Sequence, residues 1–318
     1  MRRRPSAIAG WSVIPQAVLA VCVAAFAARA ETLTVATYNI ENYVAAGRRV
    51  DGTYRPDYPK PEAAKQALRT VIRALEADVL ALQEIGPAGY LEELRRDLRA
   101  EGLDYPHVAL GEAADAERHV AVLSRRPFRR VAAHASLDFR YFDGREKVKR
   151  GLLEVAVDMA DGELALFVVH LKSRLTERAD DPESARRRAG EAEAIRDFIL
   201  RRFPDPSAAR FLLVGDCNDT AGSRPVRLLT QRGGNPVARA VEAADPRGDT
   251  WTYAYRRDGS YLRFDFVLVS PALWPAVADG AGQVYDGPGV REASDHRPVL
   301  VRLALGGKPV RPPDRGSP

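Results

Sequence analysis

Apolar and polar residues recur along this chain in short runs, and most of the runs have the period of strands. Leu33–Tyr38 (LTVATY) predicts a strand ending at Asn39, Asp78–Gln83 (DVLALQ) one ending at Glu84, and His119–Ser124 (HVAVLS) a third. Another is predicted at Arg129–Ala135. Leu152–Asp158 and Glu163–Val169 predict a hairpin joined by Asp161-Gly162, with His170 at its end. Phe211–Val214 (FLLV) is apolar throughout, the pattern of a strand buried on both faces. Thr250–Tyr255 and Tyr261–Val269 predict a hairpin around Asp258-Gly259, and Pro298–Leu303 a last strand. The period lengthens to that of a helix over Glu62–Ala77, opened by Pro61, and over Tyr90–Ala100. Pro182–Arg202, capped by Asp181, and Ser223–Gln231, closed by Gly233-Gly234, read the same way. The charges of Pro182–Arg202 predict a solvated face. Glu41–Pro61 and Ser136–Arg150 read as long irregular loops. With no repeat and no linker, the pattern predicts one α/β body with mixed sheets.

Two ends fall outside that body. Arg2-Arg3-Arg4, an apolar run from Ala7 to Ala28 and the small-residue site Ala28-Arg29-Ala30 predict a secretory signal peptide over 1–30, placing the protein in the periplasm or outside the cell. The Pro-rich end, 307–318, predicts a disordered tail, which leaves 31–306 as the domain. Export changes the charge reading. Of the formal net charge of +5, Arg2, Arg3, Arg4 and Arg29 carry four, so the mature chain is close to neutral. Any hold on a polyanion is therefore local. Cys22 leaves with the signal, and Cys217, then alone, excludes an internal disulfide.

The strand ends carry the chemistry. Asn39, Glu84, His170, Asp216 with Asn218, and Asp295 with His296 all stand at or beside strand termini. In layered α/β folds such positions gather at one edge. Asp216 and Asn218, two apart, suit either a phosphate or an attacking water, and are equally at home in a plain turn. Asp265 lies inside the apolar run FDFVLV, where a carboxylate is costly unless paired, and an imidazolium is the cheapest partner available. Oxygen ligands without thiolates suit Mg²⁺ or Mn²⁺, with one ion or two left open. There is no G-x-S-x-G elbow, Walker loop or G-x-G-x-x-G. A hard cation, a water and two histidines amount to phosphoester hydrolysis.

TYNIEN, ALQEI, VVHLKS, LVGDCND, FDFVLVS and SDHRP, in that order from Thr34 to Pro298, resemble the motif set of the endonuclease/exonuclease/phosphatase superfamily. The resemblance implies a four-layer α/β/β/α sandwich of two packed mixed β-sheets with outer helices. It implies Asn39, Glu84 and Asp295 on the metal side, with Glu84 the principal ligand. Asp216 and Asn218 would orient water and phosphate, and Asp265 would orient His296, the proton-transfer residue. A histidine at 170 is similar to the DNase, sphingomyelinase and phosphatase branches. Glu117 aligns as the carboxylate that orients His170, and Arg150 and Lys172 as substrate contacts. Cys217 replaces the usual aromatic of G-D-F-N, a substitution expected to be absorbed by the core. The substrate expected is a phosphodiester, nucleic acid first, hydrolysed by a monomer without a protein partner. Membrane lipid is disfavoured by the polar hairpin tip Arg256–Ser260. A lipid phosphodiesterase or small-molecule phosphatase is the alternative, and a non-catalytic secreted binding module the remote one.

Overall fold

Val79–Ile85 and Phe211–Asp216 have almost no solvent face, and each becomes an interior strand of its own sheet. The computed structural model describes residues 31–176 and 178–305; the signal peptide and tail expected at 1–30 and 307–318 lie outside the described residues. The first sheet runs Ala243–Ala244, Gly282–Val284, Val299–Leu305, Glu31–Tyr43, Val79–Ile85, His119–Ser124, His107–Leu110. The second runs Arg239–Ala240, Asp265–Val269, Phe211–Asp216, Gly162–His170, Leu153–Met159, Phe128–Ala133. Both mix parallel and antiparallel pairs: Glu31–Tyr43 is parallel to Val79–Ile85 and antiparallel to Val299–Leu305, and Gly162–His170 is parallel to Phe211–Asp216.

Alternate side chains from the two sheets, Val35, Val122, Val155, Val214 and Val301 among them, meet in a central apolar layer. The other face of the first sheet packs on helices Glu62–Leu75 and Ala88–Ala100 through Leu68, Ile72, Leu94 and Leu98. That of the second packs on Ala185–Arg202 and Arg224–Thr230 through Ile195, Ile199, Val226 and Leu229. The result is the four-layer sandwich. Cys217 sits in this last layer, fully buried.

Several local expectations change. Glu41–Pro61 and Ser136–Arg150 each fold into a hairpin, Ala46–Val50 with Thr53–Tyr58 and Asp138–Tyr141 with Gly144–Lys147. Both lie outside the main sheets; the first is largely exposed, whereas the second buries only Phe139 and Tyr141, too short an alternation to stand out among its charges. The predicted Tyr261–Val269 arm breaks at Arg263-Phe264. Thr252 Oγ1 accepts the N–H groups of Phe264 and Asp265 at 2.9 and 3.0 Å, ending the outer ribbon and sending Asp265–Val269 into the second sheet. The Ala185–Arg202 helix is not simply solvated. Arg188, Glu191 and Arg196 are buried on it, and the Glu191 carboxylate accepts the N–H groups of Lys149 and Lys172 at 3.0 and 2.7 Å. Asp181 does cap it, accepting from the Arg186 and Arg187 N–H groups across a short 3₁₀ turn.

Candidate active site

The predicted strand ends converge at one edge of the sandwich, around a cleft of about 580 Å³. Local backbone devices aim them. At Glu84 the pairing with the neighbouring strand slips between Gln83 and Ile85, and Glu84 adopts φ 66°, a left-handed conformation unusual for glutamate. The bulge turns its carboxylate into the cleft, where Oε2 accepts the Asn42 N–H at 2.9 Å. In the second sheet His170 and Asp216 are register partners on parallel strands. Gly215, at φ 138°, makes that approach feasible, because a Cβ there would stand 2.0 Å from the Val169 carbonyl oxygen.

Asp216 is the centre of the arrangement. Its Oδ2 accepts from Asn39 Nδ2 at 3.0 Å and Asn218 Nδ2 at 3.2 Å, and its Oδ1 from the Asn218 N–H at 2.7 Å. The same Oδ2 lies 3.5 Å from His170 Nε2 and 3.8 Å from His296 Nε2. His296 Nδ1 hydrogen-bonds Asp265 Oδ2 at 2.7 Å, with both residues buried. Glu84 Oε1 is 3.8 Å from His170 Nε2. Asn39, Glu84, His170, Asp216, Asn218, Asp265 and His296 thus form one constellation, and Asp295 lines the cleft beside them.

Charge and burial set the protonation states. Burial pushes the Asp216 carboxyl up to about 7, against the pull of His296, with Asp265 adding to the rise. Asp295 is raised to about 6, chiefly by burial; His296 opposes, and the Glu41 and Glu84 carboxylates push further up. His296 is held well above the ordinary histidine range, because Asp265 and Asp216 outweigh its burial. His170 goes the other way, through burial first and then the nearby charges of Arg150, His296, Arg118 and Lys172.

Three expected residues are placed otherwise. Glu117 does not reach His170; it is exposed and pairs with Arg118 at 2.9 Å, leaving His170 Nδ1 buried without a partner among the described residues. Arg150 lies buried behind the cleft against Asp115 at 3.3 Å rather than in the cleft wall. Lys172 is buried too, its amine spent on the Ser173 carbonyl and hydroxyl and on the Leu175 carbonyl, so it shapes the loop instead of facing substrate. The cation that does line the cleft is Arg174, over the Phe264 ring at 5.0 Å and paired with Asp219 at 3.3 Å and Glu183 at 3.8 Å. Sequence reasoning also missed Ser294, whose hydroxyl donates to the Asn39 carbonyl at 2.8 Å and accepts the His296 N–H at 3.0 Å. Its place in S-D-H was the available signal. Tyr253 packs against the His296 ring at 4.8 Å.

A divalent cation fits the open wall of this cleft. Glu84, Glu41 and Asp295 bring three carboxylates together there, and Glu41 and Glu84 both add to the rise of Asp295. Asp216, Asp265 and His296 also bring ligand atoms within 4.8 Å of one another. However, a short, buried hydrogen bond already joins His296 Nδ1 to Asp265 Oδ2, and that bond decides against reading the trio as the ligand set.

Residues 36–296 match the family model described as the Endonuclease/Exonuclease/phosphatase family. The chain belongs to this family. It is accordingly a hydrolase of phosphoester bonds, in a family that depends on divalent metal. No curated protein matches by sequence. Among solved structures, a beta toxin variant from Staphylococcus aureus with bound magnesium ions is similar at 13% identity and TM-score 0.60, covering 85% of this chain and 99% of its own. Sphingomyelinase C from Streptomyces griseocarneus is similar at 14% identity and TM-score 0.56, with 86% and 99% covered. Humanized D. rerio TDP2 is similar at 16% identity and TM-score 0.54, with 86% and 98% covered. At these identities the likeness is one of fold.

Proposed function

We propose that this chain is an exported phosphodiesterase that uses Mg²⁺ or Mn²⁺ and hydrolyses nucleic acid by in-line attack of water. The observation that carries the chemistry is the buried line Asp265–His296–Asp216, with Glu84 facing it across the cleft. Glu84, with Asp295 and Asn39, would hold the cation, which would supply positive charge to the phosphoryl oxygens. Asp216, fixed by Asn39 and Asn218, positions the attacking water. In its neutral form, the minor one at neutral pH, His296 Nε2 takes the water proton as the new P–O bond forms; the leaving P–O bond breaks, the leaving oxygen takes a proton from solvent, and Asp265 stabilises the resulting imidazolium. His170, kept neutral, offers a hydrogen bond rather than a charge.

Nucleic acid is favoured as substrate by Tyr253 and Tyr255 beside Arg174 in the cleft wall, a combination suited to a base and its phosphate. One observation favours lipid instead: Leu175, at the cleft, is 81% exposed. Turnover with Mg²⁺ on duplex DNA, single strands, RNA, sphingomyelin vesicles and bis(4-nitrophenyl) phosphate separates the readings. Hydrolysis of vesicles with oligonucleotides untouched would replace the nuclease with a lipid phosphodiesterase. Export is tested by sequencing the N-terminus of protein from the native host, which should begin at Glu31; a retained Met1 in the cytosol refutes it.

A further inference from the structure

The outer ribbon, Tyr253–Tyr255 paired with Ser260–Leu262, has two faces. Tyr253, Tyr255, Ser260 and Leu262 line the active-site cleft. Ala254 and Tyr261, the alternate positions, line a separate hollow of about 320 Å³ on the reverse face. Asp295 and His296 border both spaces, so the ribbon and the catalytic loop form a shared wall between them.

The hollow has its own chemistry. Arg256 is held over it by donating to the Arg291 and Ser294 carbonyls at 2.6 and 3.1 Å, bonds that orient the guanidinium without cancelling its charge. Arg291 is exposed at its rim. Among the described residues neither arginine has a carboxylate at ion-pair distance, whereas Arg297 beneath them is neutralised by Asp245 at 2.8 Å. The floor is rigid and aromatic: Arg297 stacks on Trp251 at 3.4 Å, and Trp251 meets Tyr261 at 4.7 Å. Tyr261 is 58% exposed. Two guanidinium groups without ion-pair partners among the described residues, beside an open aromatic ring, suit a phosphate with an attached planar group, with the Asp295 carboxylate on the shared wall.

We propose that this hollow is a second phosphate subsite, taking a phosphate of the same polynucleotide next to the one being hydrolysed, with its base against Tyr261. The inference rests on the nucleic-acid reading of the cleft. It adds that the enzyme prefers substrates long enough to span the wall at Asp295–His296. A small diester fills only the cleft, and an oligonucleotide fills both.

The test compares kcat/KM on a single-stranded oligothymidylate with that on bis(4-nitrophenyl) phosphate, for wild type, Arg291→Glu and Tyr261→Ala. The ratio of oligonucleotide to small diester should fall at least tenfold in Arg291→Glu, through KM, and severalfold in Tyr261→Ala. Binding to the oligonucleotide in a His296→Asn background should lose about 0.7 from its salt slope with Arg291→Glu, the share of one phosphate contact on a single strand. Arg99→Glu, on an outer helix, is the control for net charge. An unchanged ratio in Arg291→Glu, or an equal fall in Arg99→Glu, overturns the subsite while leaving the nuclease reading intact. Wild type that cleaves the small diester and no oligonucleotide overturns the nuclease reading, and the subsite falls with it.

Discussion

His170 and His296 stand on either side of one carboxylate oxygen, 3.5 and 3.8 Å from Asp216 Oδ2, and are driven to opposite protonation states. Burial pushes both towards the neutral form. What separates them is what lies behind each ring. Burial is the largest single cause at His296, but Asp265, bonded to its Nδ1, and Asp216 together outweigh it; around His170 the charges of Arg150, His296, Arg118 and Lys172 add to burial. One histidine is thereby built to hold a proton and the other to remain neutral. Their division of labour is written in the second layer of residues, not in the side chains that touch substrate.

The strongest way to break this comparison is at the dyad. Asp265→Asn and His296→Asn should each cost ~10²–10⁴-fold in kcat/KM, the scale of general acid–base catalysis. The double variant should be little worse than the poorer single one, since groups that act as a unit are lost as a unit. A double-mutant cycle with saturating metal measures this, and multiplicative losses would dissolve the dyad. Next comes the open wall. Glu84→Gln should weaken Mg²⁺ binding by at least the ~10–100-fold seen for residues that merely support metal sites. Equal affinities in a calorimetric titration would take Glu84 out of the ligand set.

Asp216 sharpens the comparison through pH. Its folded carboxyl titrates at about 7, while an unfolded one releases its proton near ~3.9. The native state therefore binds the extra proton between those values, and stability falls as pH rises through that window. Below it, both states are protonated and nothing is lost. The melting temperature of Asp216→Asn relative to wild type should accordingly be more favourable at pH 8 than at pH 3 in metal-free buffer, the hydrogen bonds from Asn39 and Asn218 to Oδ2 being lost at both values and activity with them. Identical shifts at both pH values would contradict the raised carboxyl. The smallest effect is expected behind His170. Removing a neighbouring cation with Arg150→Gln should move His170 titration to higher pH, read by NMR on a variant with native circular dichroism. Because burial is the larger cause, His170 should still titrate below an ordinary histidine.

The interior of this molecule was legible because burial imposes pattern. The runs ending at Asn39, Glu84, His170 and Asp216 are apolar enough to be strands in any setting, and the cost of burying Asp265 pointed to its histidine. The hairpin at Ala46–Tyr58 was not legible, since an exposed ribbon needs no apolar stripe, and that at Asp138–Lys147 offered only the two buried positions Phe139 and Tyr141 among charged residues. Nor were the orientations of Glu117, Arg150 and Lys172. A long charged side chain can turn to solvent, to a buried carboxylate or to a loop carbonyl with no change in local sequence. The charges of Ala185–Arg202 misled for the same reason, because Glu191 satisfies backbone N–H groups 42 and 19 residues away along the chain.

The bulge at Glu84 has a consequence for descent. A glutamate at φ 66° sits against its conformational preference, in a strand that would pair without interruption if the bulge were lost. Asparagine or glycine tolerates that backbone better, so the substitutions that would end the proposed metal binding there are also the ones expected to ease the local backbone. Drift at this codon runs downhill towards a more stable and inert protein. Lineages of this chain that keep Glu84 do so only under continuing selection for turnover, which makes that single position a readable record of whether a descendant still works.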